Sequence, residues 1–364
     1  MNSTEKLWAA GQSVWYDNIQ RSLLRNGEMA GMIARGEIRG VTSNPSIFMN
    51  AIANSSDYDE SLKPLGDPTL GAEEVFFRLA IEDIQAAADL FLPLYQGSDG
   101  ADGYVSLEVS PFLADKSAET LAQAEALWQR VKRPNLMIKI PATKAGLPAI
   151  QAAIAAGINI NVTLIFSRER YSAVMDAYLS GLEERSRAGL PLEGIASVAS
   201  FFISRVDSHI DPRLHAIGTT DALALAGQAA VANARLAYAQ FLQVFGSERF
   251  ARLKAKGARK QRPLWASTST KNPAYRDVMY VEELVGADTV NTMPPQTLAA
   301  FLDHGRVRKS IVENLDAARA LFESLEELGI RMPQVTAQLE EEGVKAFADA
   351  FSVLLGVVDK RRKA

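Results

Sequence analysis

The sequence predicts a single-domain α/β fold, a closed (α/β)8 TIM barrel over residues 1–364 with extra helices at both ends. Three observations predict it. Eight short β-rich runs alternate with Ala-rich helical stretches, which implies parallel strands joined by helical crossovers. Three successive runs are apolar on one face and polar on the other, whereas the parallel strands of α/β proteins are usually apolar on both; the polar faces would then point into a barrel. No G-x-G-x-x-G follows the first run and no Walker A sequence occurs, which counts against an open doubly wound sheet, the alternative architecture.

The strand candidates are 13–19, 38–43, 103–109, 135–140, 158–166, 196–203, 262–267 and 289–293. Helical patterns cover 71–95, 118–130, 147–156, 168–188, 221–245, 275–284 and 297–301, and a final helical region runs from about 310 to 360. Residues two apart share a strand face. In the third run Val105, Leu107 and Val109 oppose Ser106, Glu108 and Ser110. In the fourth, Leu136, Ile138 and Ile140 oppose Met137 and Lys139. In the fifth, Ile158, Ile160, Val162 and Leu164 oppose Asn159, Asn161 and Thr163. The apolar faces should meet the helices, and the polar faces should point into the barrel. A polar interior is costly unless its groups are paired or used.

Composition narrows the class. The 364 residues are 48% hydrophobic and carry a net charge of −4, which excludes a disordered chain. No apolar run approaches the ~20 residues of a membrane span. The first twenty residues lack a basic segment followed by an apolar core, so no secretory signal is expected and a cytoplasmic location is the simplest reading. The absence of cysteine excludes disulfides, thiolate metal sites and cysteine nucleophiles. His209, His215 and His304 have no metal-ligand spacing, so no metal is expected. The basic stretch 249–262 and the tail 360–363 read as solvated surface; neither interleaves aromatics as a nucleic-acid groove does, and no nucleic-acid or membrane partner is expected. Nothing in the pattern fixes an oligomeric state.

Lys139 is the sharpest chemical signal, because it interrupts the apolar run LMIKI. Desolvation favours a lysine's neutral amine, the form that attacks a carbonyl to give a Schiff base. A plain ion pair with Glu108, or a lysine reaching solvent, is the structural alternative. Glu108, inward on the neighbouring strand, has the chemistry to move protons for such an imine, directly or through a water that Thr163 could hold. Asp17 closes the first strand candidate, where it is either a base on a substrate hydroxyl or a turn residue. Arg205, after the sixth strand, and Ser267, Ser269 and Lys271, after the seventh, lie where barrels commonly bind phosphate; otherwise they are polar loop residues.

At these residues the chain resembles the transaldolases. The stretches that carry the resemblance are VTSNPSIF (41–48), SLEVSP (106–111), MIKIPAT (137–143), GININVTLIFS (157–167), SFFISRVD (200–207) and WASTSTKN (265–272). The resemblance, to the longer bacterial subgroup in particular, implies an (α/β)8 barrel of the Schiff-base aldolase class. It implies cofactor-free, reversible transfer of a dihydroxyacetone unit from sedoheptulose 7-phosphate to glyceraldehyde 3-phosphate, in the non-oxidative pentose phosphate pathway. Small-molecule sugar phosphates are then the partners. By motif, Lys139 resembles the Schiff-base lysine, Glu108 the acid–base carboxylate working through a water held with Thr163, and Asp17 the base that takes the C4 hydroxyl proton. Asn44 and Asn161, with Ser200, resemble the residues that hold the dihydroxyacetone hydroxyls. Phe202 resembles the aromatic that closes the site, and Arg205 the phosphate clamp. One departure stands out: where better-known members place an Arg preceded by Ser in the seventh-strand loop, this chain has Ser269 and Lys271, or Ser267 if the register slips by two. A lysine lacks the bidentate fork of an arginine. The alternatives are an aldolase that releases free dihydroxyacetone, and a non-catalytic sugar-phosphate-binding barrel in which Lys139 only pairs with Glu108.

Overall fold

The computed structural model describes residues 1–66 and 69–363. Eight parallel strands close on themselves in chain order: β1 (Gln12–Tyr16), β2 (Gly40–Val41), β3 (Tyr104–Glu108), β4 (Leu136–Pro141), β5 (Ile160–Ile165), β6 (Ser197–Phe202), β7 (Arg262–Ala266) and β8 (Thr289–Met293). The ladder from Gln12↔Thr289 to Tyr16↔Met293 joins the first strand to the last, which removes the open-sheet alternative. Helices between the strands cover the outside, among them Ala72–Gly97, Gly146–Ala156 and Arg168–Arg187. None of the described helices is long and apolar enough to cross a membrane.

The expected alternation of faces holds inside the barrel. Asn161 Nδ2 on β5 donates to Ser106 Oγ on β3 at 3.0 Å, spanning β4, which requires both side chains to point inward. Leu164 departs from it. Its backbone is left-handed (φ 60°), the β5–β6 register shifts there, and its side chain turns toward Gly343 at the mouth.

Other differences have local causes. The second strand is two residues long, against six expected; Thr42 N still donates to Tyr16 O at 2.9 Å, and the chain then turns into helix Pro45–Ala53. Gly40 is required there: a Cβ would stand 2.8 Å from the Trp15 ring. The helix expected over 221–245 is two, Thr220–Ala224 and Ala229–Phe245, parted at Gly227 with φ 73°. Only Met279–Glu282 is helical within 275–284. Helix Ser204–Ile217, with Pro212 inside it, has no counterpart in the sequence reading. The terminal region is two helices, Leu315–Glu327 and Met332–Arg362, separated by Gly329 in the left-handed region.

The two basic segments are not simply solvated. Arg262 reaches into the base of the barrel toward Ser13 and Asp102. Arg361 and Arg362 tie the C-terminus down, donating to Ile52 O and Leu70 O. In Met332–Arg362 the buried residues Val335, Leu339, Gly343, Phe347, Phe351, Leu354 and Val358 form one stripe at helical spacing. That stripe carries the helix past the C-terminal ends of the strands, so that Phe347 arrives over Lys139.

Candidate active site

Strand register builds the centre. Parallel pairing sets Glu108 beside Lys139, Lys139 beside Asn161, and Pro141 beside Thr163. Lys139 Nζ lies 3.2 Å from Glu108 Oε2 and donates to Ser43 O at 3.1 Å. The two residues are 5% and 7% exposed, so the pair is almost wholly desolvated. Burial pushes the Glu108 carboxyl up to about 7, against the pull of Lys139 and with a push from Asp17. Among the described residues, Glu108 Oε2 accepts no well-directed hydrogen bond and the buried Thr163 Oγ1 has no partner. Buried polar atoms are ordinarily satisfied, so these two are exceptions.

Asp17 directly follows β1. Its N–H donates to Met293 O at 2.8 Å, and its Oδ1 accepts from Thr42 Oγ1 at 2.6 Å. Thr42 shares a second contact of 2.6 Å with Thr292 Oγ1. Burial raises the Asp17 carboxyl, while Lys139, Thr42 and Lys271 pull it down. Asp17 sits on a bend, and its side chain lines a cavity of about 420 Å³ at the C-terminal ends of the strands, together with Lys139 and Thr163.

Asn44, Ser200, Phe202, Arg205, Ser267, Ser269 and Lys271 line the same cavity. Asn44 caps helix Pro45–Ala53, its Oδ1 accepting from Ile47 N at 3.0 Å, which leaves its amide N–H groups for a ligand. Asn161 is different. It sits beneath the cavity, held between Ser106 Oγ and Ser200 Oγ at 3.0 and 2.7 Å, and only Ser200 of that chain lines the cavity. Glu108 likewise stands behind Lys139 and does not line it.

The same cavity also holds two cations. Arg205 opens helix Ser204–Ile217, its guanidinium 5.5 Å from the Phe202 ring centroid. Lys271 Nζ donates to Ser269 Oγ at 2.7 Å. Burial lowers both cations from their ordinary values, and Arg205 adds to the effect on Lys271. Neither pairs with a carboxylate among the described residues, so both remain available to an anion. The two candidate serines separate: Ser267, left-handed at φ 56°, contacts Ser204 Oγ at 3.0 Å, whereas Ser269 accompanies Lys271.

The sequence reading missed Phe347, 5.6 Å from Lys139 Nζ, as well as Thr292 and Gln296. It quoted Thr42 within VTSNPSIF without giving it a role. A larger cavity, about 570 Å³, lies at the other end of the barrel among Trp8, Tyr104, Met137 and Arg262. Its lysine–carboxylate pair, Lys260 Nζ with Asp288 Oδ2 at 2.6 Å, is solvated, unlike Lys139 with Glu108, and barrel enzymes react at the C-terminal face.

Comparison with known proteins agrees with this geometry. The profile of the "Transaldolase/Fructose-6-phosphate aldolase" family matches residues 14–358. A transaldolase of Thermobifida fusca is 51% identical over 361 residues, covering 99% of this chain and 98% of that protein. One from Mycolicibacterium smegmatis is 50% identical over 362 residues, covering 98% of each. Transaldolase 1 of Streptomyces coelicolor is 51% identical, covering 98% of this chain and 94% of its own length. With the whole barrel matched and half of its residues shared with these proteins, the chain belongs to the transaldolase/fructose-6-phosphate aldolase family.

Proposed function

We propose that this chain is a transaldolase, a transferase that moves a dihydroxyacetone unit between sugar phosphates through a Schiff base at Lys139. The observation that carries the reading is the desolvated Lys139–Glu108 pair beside a cavity also lined by two cations, Arg205 and Lys271, that pair with no carboxylate among the described residues.

The neutral Lys139 amine adds to the C2 carbonyl of the ketose. Glu108 protonates the carbinolamine hydroxyl, which leaves as water; a bridging water against Thr163 would satisfy both unpartnered oxygens. Asp17 takes the C4 hydroxyl proton as the C3–C4 bond breaks, and the bond's electrons move into the iminium to give an enamine. The aldehyde product leaves. The enamine carbon then attacks the acceptor aldehyde, Asp17 returns its proton to the new hydroxyl, and water releases the ketose from Lys139. The lysine itself serves as the electron sink, so the chemistry needs no cofactor. Asn44 and Ser200 hold the dihydroxyacetone hydroxyls, and Asn161 acts one layer below by aligning Ser200. Arg205, Lys271 and Ser269 bind the phosphate, with Ser267 fixing the loop. Sedoheptulose 7-phosphate as donor and glyceraldehyde 3-phosphate as acceptor fit this assignment.

Borohydride reduction in the presence of fructose 6-phosphate, followed by peptide mass spectrometry, tests it. A dihydroxyacetone adduct on Lys139 is expected. Lys139→Arg keeps the charge but cannot form an imine, and it should lose turnover while remaining folded. Normal activity in that variant would remove the mechanism.

A further inference from the structure

We infer that Asp211 and Tyr275, with Asp207 and Tyr280 one helical turn away, are positioning residues that fix the distance between the two cationic halves of the phosphate site. The inference rests on the assignment of Arg205 and Lys271 to phosphate.

Those two cations come from separate pieces of chain. Arg205 is held by the first turn of helix Ser204–Ile217, whereas Lys271 sits on the connection between β7 and β8. Lys271, Pro273, Ala274 and Arg276 are all exposed, so little packing defines the path of that connection. Thr268, buried and donating to Asn291 Oδ1 and Thr292 O, ties its start to β8, and a repeated polar clamp ties it to the helix that carries Arg205. Asp207 and Asp211 lie four residues apart, on one face of the helix that carries Arg205. Asp207 accepts from Ala230 N at 2.7 Å and from Tyr280 Oη at 2.8 Å. Asp211 accepts from Gly227 N at 2.9 Å and from Tyr275 Oη at 2.7 Å. Each carboxylate therefore takes one backbone N–H from the start of the following helical segment and one phenol from the β7–β8 connection. The near end of the connection is tied separately, through Ser204 N to Ser267 O at 3.1 Å.

The segment 267–275 is thus anchored at both ends to the element that carries Arg205, with Lys271 between the anchors. Tyr275 is fitted closely: Gly227 is left-handed at φ 73°, and a Cβ there would stand 2.7 Å from Tyr275 Cζ. Burial and Asp211 both raise the Tyr275 phenol, so it stays a donor at working pH. Apolar contacts would bury the same area without fixing a direction. Hydrogen bonds fix both direction and distance. A phosphate that must touch both cations needs that distance.

The test compares fructose 6-phosphate with fructose as donors in the full-length enzyme. Tyr275→Phe removes only the hydroxyl and should raise KM for fructose 6-phosphate by about 2- to 12-fold, the scale of one hydrogen bond, with kcat and the KM for fructose unchanged. Gly227→Ala, which displaces the same ring, should reproduce the effect. Asp211→Asn, which keeps an acceptor, should show less of it than Asp211→Ala. If KM for the two donors moves together, or only thermal stability changes, the clamp is merely structural and the inference is overturned. Arg205→Ala is the control. If it raises the fructose 6-phosphate KM while Tyr275→Phe and Gly227→Ala do not, this inference fails and the phosphate assignment stands. If Arg205→Ala leaves the ratio of the two KM values unchanged, both fail.

Discussion

At the base of the barrel, Asp102 is completely buried and both of its oxygens are satisfied: Oδ2 by Ser13 at 2.7 Å and Arg39 at 2.9 Å, Oδ1 by Trp15 at 3.1 Å and Arg262 at 3.4 Å. At the mouth, Glu108 is nearly as buried, yet its Oε2 meets only Lys139 and lacks a well-directed hydrogen bond, with the unpartnered Thr163 hydroxyl two residues beyond Asn161 on β5. Both arrangements place a carboxylate beside cations inside one set of strands. The difference lies in what the remaining lone pairs do. A buried ionic group stabilises a fold only when its other valences are met, and removing one partner from such a pair is strongly destabilising. The base meets that condition. The mouth does not: Thr163 lines the cavity and Glu108 stands just behind Lys139, where a substrate and a water would complete them.

Breaking the mouth should therefore cost rate rather than stability. Glu108→Gln keeps the shape and loses the acid, so imine formation should fall by about 10²- to 10⁴-fold. In the native enzyme, the protonated form of Glu108 declines as pH rises through about 7, and imine formation should decline with it; the variant should lose that pH dependence. Stability has its own sign. The folded protein keeps the Glu108 proton up to about 7, whereas the unfolded chain gives it up at the ordinary carboxylate value, so this group's contribution falls as pH rises between those two values and is constant above. Asp17→Ala should form the imine normally and stall before cleavage. Single-turnover borohydride trapping then finds the intact ketose on Lys139; accumulation of the three-carbon adduct at the native rate would reassign Asp17.

The base should respond in the opposite way. Asp102→Ala leaves Arg39 and Arg262 facing each other without their shared acceptor, and should cost about 3–5 kcal/mol in denaturant unfolding. Borohydride labelling of the protein that remains folded should be unchanged. A variant that kept its stability and lost labelling would mean that the base communicates with the mouth, and the division drawn above would fall.

This division was partly legible in the sequence. Alternating faces in VSLEVS, LMIKI and INVTLI place Glu108, Lys139 and Thr163 inside, because strand period depends on local sequence alone. Eight runs give the barrel count for the same reason. The position of Asn161 beneath the cavity was not legible: its depth depends on the stagger of β5 against β4 and β6, which no single strand encodes. Asp102 drew no attention, since its four partners come from three other elements, at positions 13, 15, 39 and 262. Arg262 read as surface because a basic run gives no hint that one member turns inward. The stripe in the C-terminal helix shows that one face is buried, but periodicity does not say against what, so Phe347 was missed.

Phe347 offers the finest way to sharpen the comparison, because it belongs to neither end's polar network. A transferase must keep its enamine from water until the acceptor aldehyde arrives, whereas an aldolase that releases free dihydroxyacetone need not. Strands cannot supply that cover, as their side chains point sideways across the barrel. The C-terminal helix supplies it, fastened by Arg361 and Arg362, with the Phe347 ring centroid 5.6 Å from Lys139 Nζ. The ring also faces the positive charge that an iminium at that nitrogen would carry. Phe347→Ala should lower the trapped imine at equilibrium by about 2- to 5-fold, the scale of one ring–cation contact. It should also raise free dihydroxyacetone relative to transferred product when glyceraldehyde 3-phosphate is limiting. Phe347→Leu, apolar but without the ring, separates the two effects: it should keep the water out and still lose the ring contact. If both variants release dihydroxyacetone at the native ratio, the cover over Lys139 lies in the substrate itself, and the C-terminal helix contributes only packing at the mouth.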